Sequence, residues 1–317
     1  MVSVHLENGA VEVRRARKPR RPAGYSRIRL LAAGICNTDL ELQRGYYGFR
    51  GQPGHEFAGV VEESDNAALT GKRVVGEINL ACRRCGWCRQ GLGRHCPTRT
   101  VLGIVNQPGA FASEFVLPDA NLHIVPARVA TEHAVFAEPV AAACEILDQV
   151  KIPRGAEVAV LGDGKLGLLI AQVLHAHGAR VIQFGRHAAK LRISRAAGVE
   201  TECNPKRLPV KAFGFVVDAT GNSAGLASAI SMTRPRGTVI LKSTVHDSVA
   251  INTAPVIVDE LTLVGSRCGR MEPALRLLSR HALRLDDMIA GTFPLDRAPE
   301  AFTRAAASGV LKVMLTA

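Results

Sequence analysis

The sequence predicts a two-part α/β protein, a largely β segment followed by a doubly wound parallel sheet. Three observations carry that expectation. Up to about Ala120, short apolar runs alternate with Gly- and Pro-bearing turns, the pattern of a β domain. Beyond Pro139, strand-like and helix-like runs alternate at the spacing of βαβ units, which build parallel sheets. Where one such strand hands over to a helix, the chain reads Gly162-Asp163-Gly164-Lys165-Leu166-Gly167, a G-x-G-x-x-G fingerprint.

Taken in order, the β part offers strands at 28–33, 57–61, 73–78 and 111–117. The second part opens with a helix at 140–150 and a strand at 157–161 leading into the glycines. A helix at 166–177 follows, stopped by Gly178, then a strand at 181–184 and a helix at 188–197 ended by Gly198. Further strands are expected at 214–219, 238–242 and 261–265, with a helix at 224–233. The texture places a domain boundary at 145/146, with 1–145 as the first domain.

Composition limits the function classes. At 317 residues the chain is long enough for two domains with their own cores. Hydrophobic residues at 47% and charged ones at 21% exclude wholesale disorder. No apolar run approaches the ~20 residues that span a bilayer, and residues 1–24 lack the apolar centre of a secretory signal. A cytoplasmic protein with reduced thiols is expected, in which clustered cysteines read as metal ligands. The net charge is +12, and six of the eight residues from Arg14 to Arg21 are basic. Aromatics are only 4% and none interrupts that run, so a solvated segment is expected and no nucleic-acid or membrane partner.

Four cysteines spaced C-x2-C-x2-C-x7-C (Cys82, Cys85, Cys88, Cys96) form a lobe within 80–98. Four thiolates close the coordination sphere of a tetrahedral Zn²⁺ and leave no place for substrate, so this site braces a loop. The glycine fingerprint is expected to bind a dinucleotide, a plain strand-to-helix turn being the alternative. Gly162 makes the tight turn, Gly164 lets the main chain approach a pyrophosphate, and Gly167 lets helix pack on strand. The anion rests on the helix N-terminus, at Lys165 and Leu166. An NAD site usually carries an acid at the end of the next strand, yet from Gly164 to Val199 there is no Asp or Glu. Gly185 stands in that place, followed by Arg186 and, further on, Lys190. A guanidinium can hold a 2′-phosphate and stack on adenine, so NADP(H) is favoured over NAD(H). A solvated basic helix face is the plainer alternative.

Ligand-type residues also gather at Gly34-Ile35-Cys36-Asn37-Thr38-Asp39, Gly54-His55-Glu56 and Ala137-Glu138-Pro139. With the four-Cys lobe, Gly109-Ala110-Phe111-Ala112-Ser113-Glu114 and Asp218-Ala219-Thr220-Gly221, they make the chain resemble the zinc-dependent medium-chain dehydrogenase/reductase family of alcohol, sorbitol and threonine dehydrogenases. The motifs run in the family's order across nearly the whole chain.

The resemblance implies a GroES-like, mostly β catalytic domain, a Rossmann cofactor domain at 146–269, and a return of 270–317 to the catalytic domain. It implies one structural and one catalytic zinc, the latter on Cys36 and His55, with Glu56 and Glu138 completing the sphere or exchanging with water. Thr38 would relay the alcohol proton, with Asp39 orienting a ligand or capping a helix. Thr220, Ser243 and Lys312 would join the cofactor contacts, Lys312 at the pyrophosphate. The implied activity is hydride transfer between NADP(H) and an alcohol, polyol or aldehyde, an open Zn²⁺ favouring alkoxide over alcohol. A homodimer or homotetramer is implied as well. Reduction of an activated C=C bond, or a non-catalytic nucleotide-binding member of the fold, are the alternatives.

Two departures stand out. Glu41 occupies the position where relatives place a His that finishes the proton relay. Tyr46, Tyr47 and Phe49 lie where relatives line the pocket, and either form an aromatic wall or pack their own loop. Cys144, Cys203 and Cys268 are read as buried small hydrophobes.

Overall fold

Strand Tyr25–Ile35 is the spine of the first sheet. Its first half alternates, burying Ser26, Ile28 and Leu30, whereas Ala32 through Ile35 are all buried. One face of a strand open to water gives the first pattern and two covered faces give the second. The computed structural model describes residues 1–243 and 249–317. They fall into one unit of Met1–Glu138, Ala274–Ser279 and Ile289–Ala317, and another of Pro139–Pro273 and Arg280–Met288.

In the first unit the sheet runs Leu122–Ile124, Arg73–Gly76, Glu56–Glu63, Tyr25–Ile35, Lys312–Thr316, Ile289–Pro294, with Glu114–Pro118 also on Tyr25–Ile35. Two registers matter for chemistry. Gly34 faces Glu56 on one side and Met314 on the other, with Ile35 facing Val313. The last strand thereby brings Lys312 beside the end of the spine. The strand expected at 111–117 starts later, at Glu114. The residues before it are bound to the loop ahead of His55, Ala110 N–H donating to Gly54 O at 2.8 Å and Phe111 N–H to Pro53 O at 3.1 Å.

An N-terminal hairpin, Val2–Glu7 on Ala10–Arg15, was not legible in the apolar pattern. Members of the basic run are tied to acids. Lys18 lies 2.8 Å from Glu114, and Arg21 lies 3.1 Å from Glu63 and 2.7 Å from Asp65.

The second unit carries a six-stranded, wholly parallel sheet in the order Glu200–Cys203, Arg180–Gly185, Glu157–Leu161, Phe213–Asp218, Thr233–Leu241, Thr262–Gly265. The order reverses direction beside Glu157–Leu161, the place where doubly wound sheets bind ligands. Helices Lys165–His177, Ala188–Ala196 and Ser223–Met232 stand where expected. The short strand Glu200–Cys203 is mostly polar and exposed, so no apolar run announced it. Residues 280–288 belong with this unit, where the buried Gln172 side chain accepts Arg284 N–H at 2.7 Å. Cys144 is buried and Cys268 half-buried, but Cys203 is exposed at the end of its edge strand, against the expectation. No helix among the described residues is long and apolar enough to cross a membrane.

Candidate active site and metal centres

The spine strand ends at Ile35 and a helix, Asn37–Gln43, begins at once, so Cys36 sits in the bend between them. Asp39, in the first turn and fully buried, knots this bend to the loop before His55. One of its carboxylate oxygens accepts Cys36 N–H at 2.8 Å and the other accepts Gly54 N–H at 3.2 Å. Asp39 thus caps the helix, as one of its two expected roles required. Its Oδ1 lies 3.3 Å from His55 Nδ1, close in charge but without hydrogen-bond alignment. Burial works against a charged His55, yet Asp39 and Cys36 beside it hold its pKa well above the ordinary histidine value.

Cys36, His55 and Glu56 each offer a ligand atom within 4.8 Å of the others. A buried imidazole, a thiol and a buried carboxylate form a donor set that suits Zn²⁺. With Nδ1 turned to Asp39, Nε2 is the nitrogen left for a metal. Cys36 Sγ lies 3.8 Å from Thr38 Oγ1. Glu138 opens the helix Ala137–Gln149 and is not one of the three mutually close ligands.

Sequence reasoning missed a buried ion pair at this site. Lys312, 2% exposed, places its ammonium against the carboxylate of Glu56, 1% exposed. The same ammonium lies 5.7 Å from the centre of the Phe136 ring. Gly34 makes the space. A Cβ there would stand 2.5 Å from Glu56 Oε2 and 3.0 Å from Lys312 Cδ. The cation expected at a pyrophosphate is thus sealed beside the metal-ligand trio, because the strand register carries it there.

Glu41, at the relay position, holds Arg44 at 2.6 Å one turn along its helix. The Tyr46 and Tyr47 rings stand 3.9 Å apart on each other, and Tyr47 is 69% exposed.

The four-Cys lobe is held on a small sheet of Asn79–Leu80, Thr100–Leu102 and Asn106–Gln107. Cys82, Cys85, Cys88 and Cys96 bring their sulfurs within 4.8 Å of one another. Their acidities split as crowded thiols must. Backbone N–H groups of Arg84 and Cys85 lower Cys82 to about 6, while burial and the neighbouring Cys85 push Cys88 up to about 12. Four sulfurs in that space fit a closed zinc site.

In the second unit Gly162 has φ +111°, and a Cβ on it would stand 2.5 Å from Ala219 O. A Cβ on Gly167 would strike the Gly162 carbonyl, whereas Gly164 has open space before it. This is the cradle a pyrophosphate needs, with a bare main chain ahead of the Lys165–His177 helix. Thr220 and Ser243 both point their hydroxyls at Asp218 Oδ1, at 2.7 and 3.2 Å. Ser243 Oγ also accepts Gly221 N–H at 2.8 Å. Arg186 is exposed after the strand Arg180–Gly185, and Lys190 lies in the helix that follows.

A sheet built for dinucleotides and a separate unit with one closed and one open metal-ligand set define a class, the zinc-binding, nicotinamide-dependent oxidoreductases. The alcohol dehydrogenase GroES-like domain matches residues 22–127 and the zinc-binding dehydrogenase domain residues 166–280. The chain is 30% identical over 301 residues to the D-altritol 5-dehydrogenase of Agrobacterium fabrum, covering 89% of each chain. It is 27% identical to the sorbitol dehydrogenase of Halalkalibacterium halodurans, covering 92% of this chain and 91% of the relative. A zinc-binding dehydrogenase from Sinorhizobium meliloti 1021, solved bound to NADP, superposes with a TM-score of 0.91 at 28% identity, covering 100% of this chain and 99% of that one. The chain belongs to the zinc-dependent medium-chain dehydrogenase/reductase family.

Proposed function

We propose that the protein is an NADP(H)-dependent dehydrogenase of a small polyhydroxy alcohol, or a reductase of the matching carbonyl compound. The observation that carries this is the convergence of Cys36, His55 and Glu56, apart from the four-Cys lobe. The polyol substrates named for the relatives support the substrate class. NADP in the Sinorhizobium structure, together with Gly185 and Arg186 here, supports the cofactor preference.

Cys36, His55 and Glu56 would hold a catalytic zinc, with Glu138 as a further donor, and Cys82, Cys85, Cys88 and Cys96 a structural one. The catalytic ion supplies Lewis acidity toward a hydroxyl or carbonyl oxygen. Thr38, half-buried beside Cys36, accepts the substrate hydroxyl proton and passes it on. Because Arg44 engages Glu41, that proton leaves through water rather than through a side chain at 41. Asp39 keeps Cys36 and His55 in register, and the glycine loop orients the nicotinamide dinucleotide. A member of the fold without turnover has no need of this trio.

The test is a panel of polyols, alcohols and aldehydes with each nicotinamide, alongside zinc analysis. About two Zn²⁺ per chain and faster turnover with NADPH are expected. About one Zn²⁺ per chain, or consistently faster turnover with NADH, would overturn the respective half of the proposal. Cys36→Ser should abolish turnover and leave NADPH affinity nearly intact.

A further inference from the structure

Asp163, the second residue of the glycine fingerprint, does not face solvent. Its Oδ2 accepts Arg186 N–H at 2.7 Å and His187 N–H at 2.6 Å. The same carboxylate lies 3.0 to 3.1 Å from His187 Nδ1. From the other side, Asn204 clamps the same turn, donating its N–H to Gly185 O and its amide to Arg186 O, each at 2.9 Å. The turn after the strand is thus held at three successive residues, while the Arg186 and His187 side chains stay exposed. His187 Nε2 has no hydrogen-bond partner among the described residues.

The same geometry excludes an acid at 185. A Cβ on Gly185 would stand 2.7 Å from Asp163 Cβ and 2.8 Å from its Oδ2. A carboxylate there would face another already buried and committed to main-chain donors, and like charges at that range repel strongly.

We propose that Asp163 is a positioning residue for cofactor choice, locking the Gly185–His187 turn so that Arg186 and His187 Nε2 meet the 2′-phosphate of NADP(H). This rests on the NADP(H) reading above. The negative charge that an NAD site spends on ribose hydroxyls is here turned inward, where it shapes a cationic turn. Arg186 offers a planar fork and His187 a ring nitrogen donor, and both suit a phosphate oxygen.

The experiment measures dissociation constants of NADPH and NADH from nicotinamide fluorescence for the intact enzyme, Asp163→Asn and His187→Gln, with circular dichroism checking each fold. The unaltered enzyme should bind NADPH more tightly; tighter NADH binding would overturn the NADP(H) reading itself. Asp163→Asn should weaken NADPH about tenfold, the loss of roughly one hydrogen bond to a charged group, and leave NADH within about twofold. Equal weakening of both cofactors would reduce Asp163 to a fold-stabilising residue and overturn the inference. So would a greater loss for NADH, which would make Asp163 the ribose acceptor, or a gain for NADPH, which would make its charge merely repulsive. If Asp163→Asn fails to fold, His187→Gln decides: a selective loss of NADPH affinity supports the arrangement, and unchanged affinities refute it.

Discussion

Replacing Lys312 by methionine removes the cation from a pair sealed off from water. Methionine fills most of the volume of the lysine stem, so the packing loss is small and the electrostatic loss dominates. Glu56 would be left as an unpaired carboxylate at 1% exposure, and breaking a buried pair in this way costs about 3–5 kcal/mol. The first unit is of a size at which 1 kcal/mol moves a melting point by ~2–4 °C. The expected drop in metal-stripped protein is therefore about 6–20 °C, read by circular dichroism or scanning fluorimetry. Glu56→Gln in the Lys312→Met background removes the unpaired carboxylate and should recover most of the drop. With zinc bound the loss should shrink, because the freed carboxylate has another cation within reach. A single-variant loss below about 1 kcal/mol, the value of an exposed pair, would refute the reasoning. So would a double variant no more stable than the single one.

Asp39→Asn should weaken zinc at the Cys36–His55–Glu56 site by about 10–100-fold while the lobe keeps its ion, as followed by chelator competition. Cys88→Ser should lower zinc content by about one ion per chain and open residues 80–98 to proteolysis, leaving NADPH affinity unchanged. Burial alone would raise the Asp163 pKa, but the N–H groups of His187 and Arg186 and the His187 ring hold it below the usual aspartate value. Its contribution is therefore complete above about pH 4 and is lost as pH falls through the lower folded pKa. The stability gap between the unaltered protein and Asp163→Asn should narrow in acid, measured by denaturant unfolding at stepped pH.

Much of the architecture was legible because it is local. Strand Glu157–Leu161, the glycine turn and helix Lys165–His177 are contiguous, so periodicity and glycine placement mark them without reference to distant residues. The four-Cys lobe likewise lies within one short segment, and its spacing alone brings four sulfurs together. The strand Glu200–Cys203 and the N-terminal hairpin escaped notice because largely exposed strands carry no continuous apolar run. The pair Glu41–Arg44 was available to a reading of helix spacing, being three residues apart on one helix.

By itself the sequence settled which chemical groups exist and which turns they sit on, namely Cys36 at a bend, His55 and Glu56 after Gly54, and glycines where a phosphate must approach. Only the tertiary structure decided how distant groups were spent. Lys312 reaches Glu56 because the last strand pairs beside the spine in a register that meets Gly34, a residue with no side chain to block them. Asp163 turns to Arg186 and His187 because parallel pairing sets the end of Arg180–Gly185 against the glycine loop. Charges separated along the chain choose partners only when sheet register brings them within hydrogen-bond reach, and register follows from burial summed over whole strands.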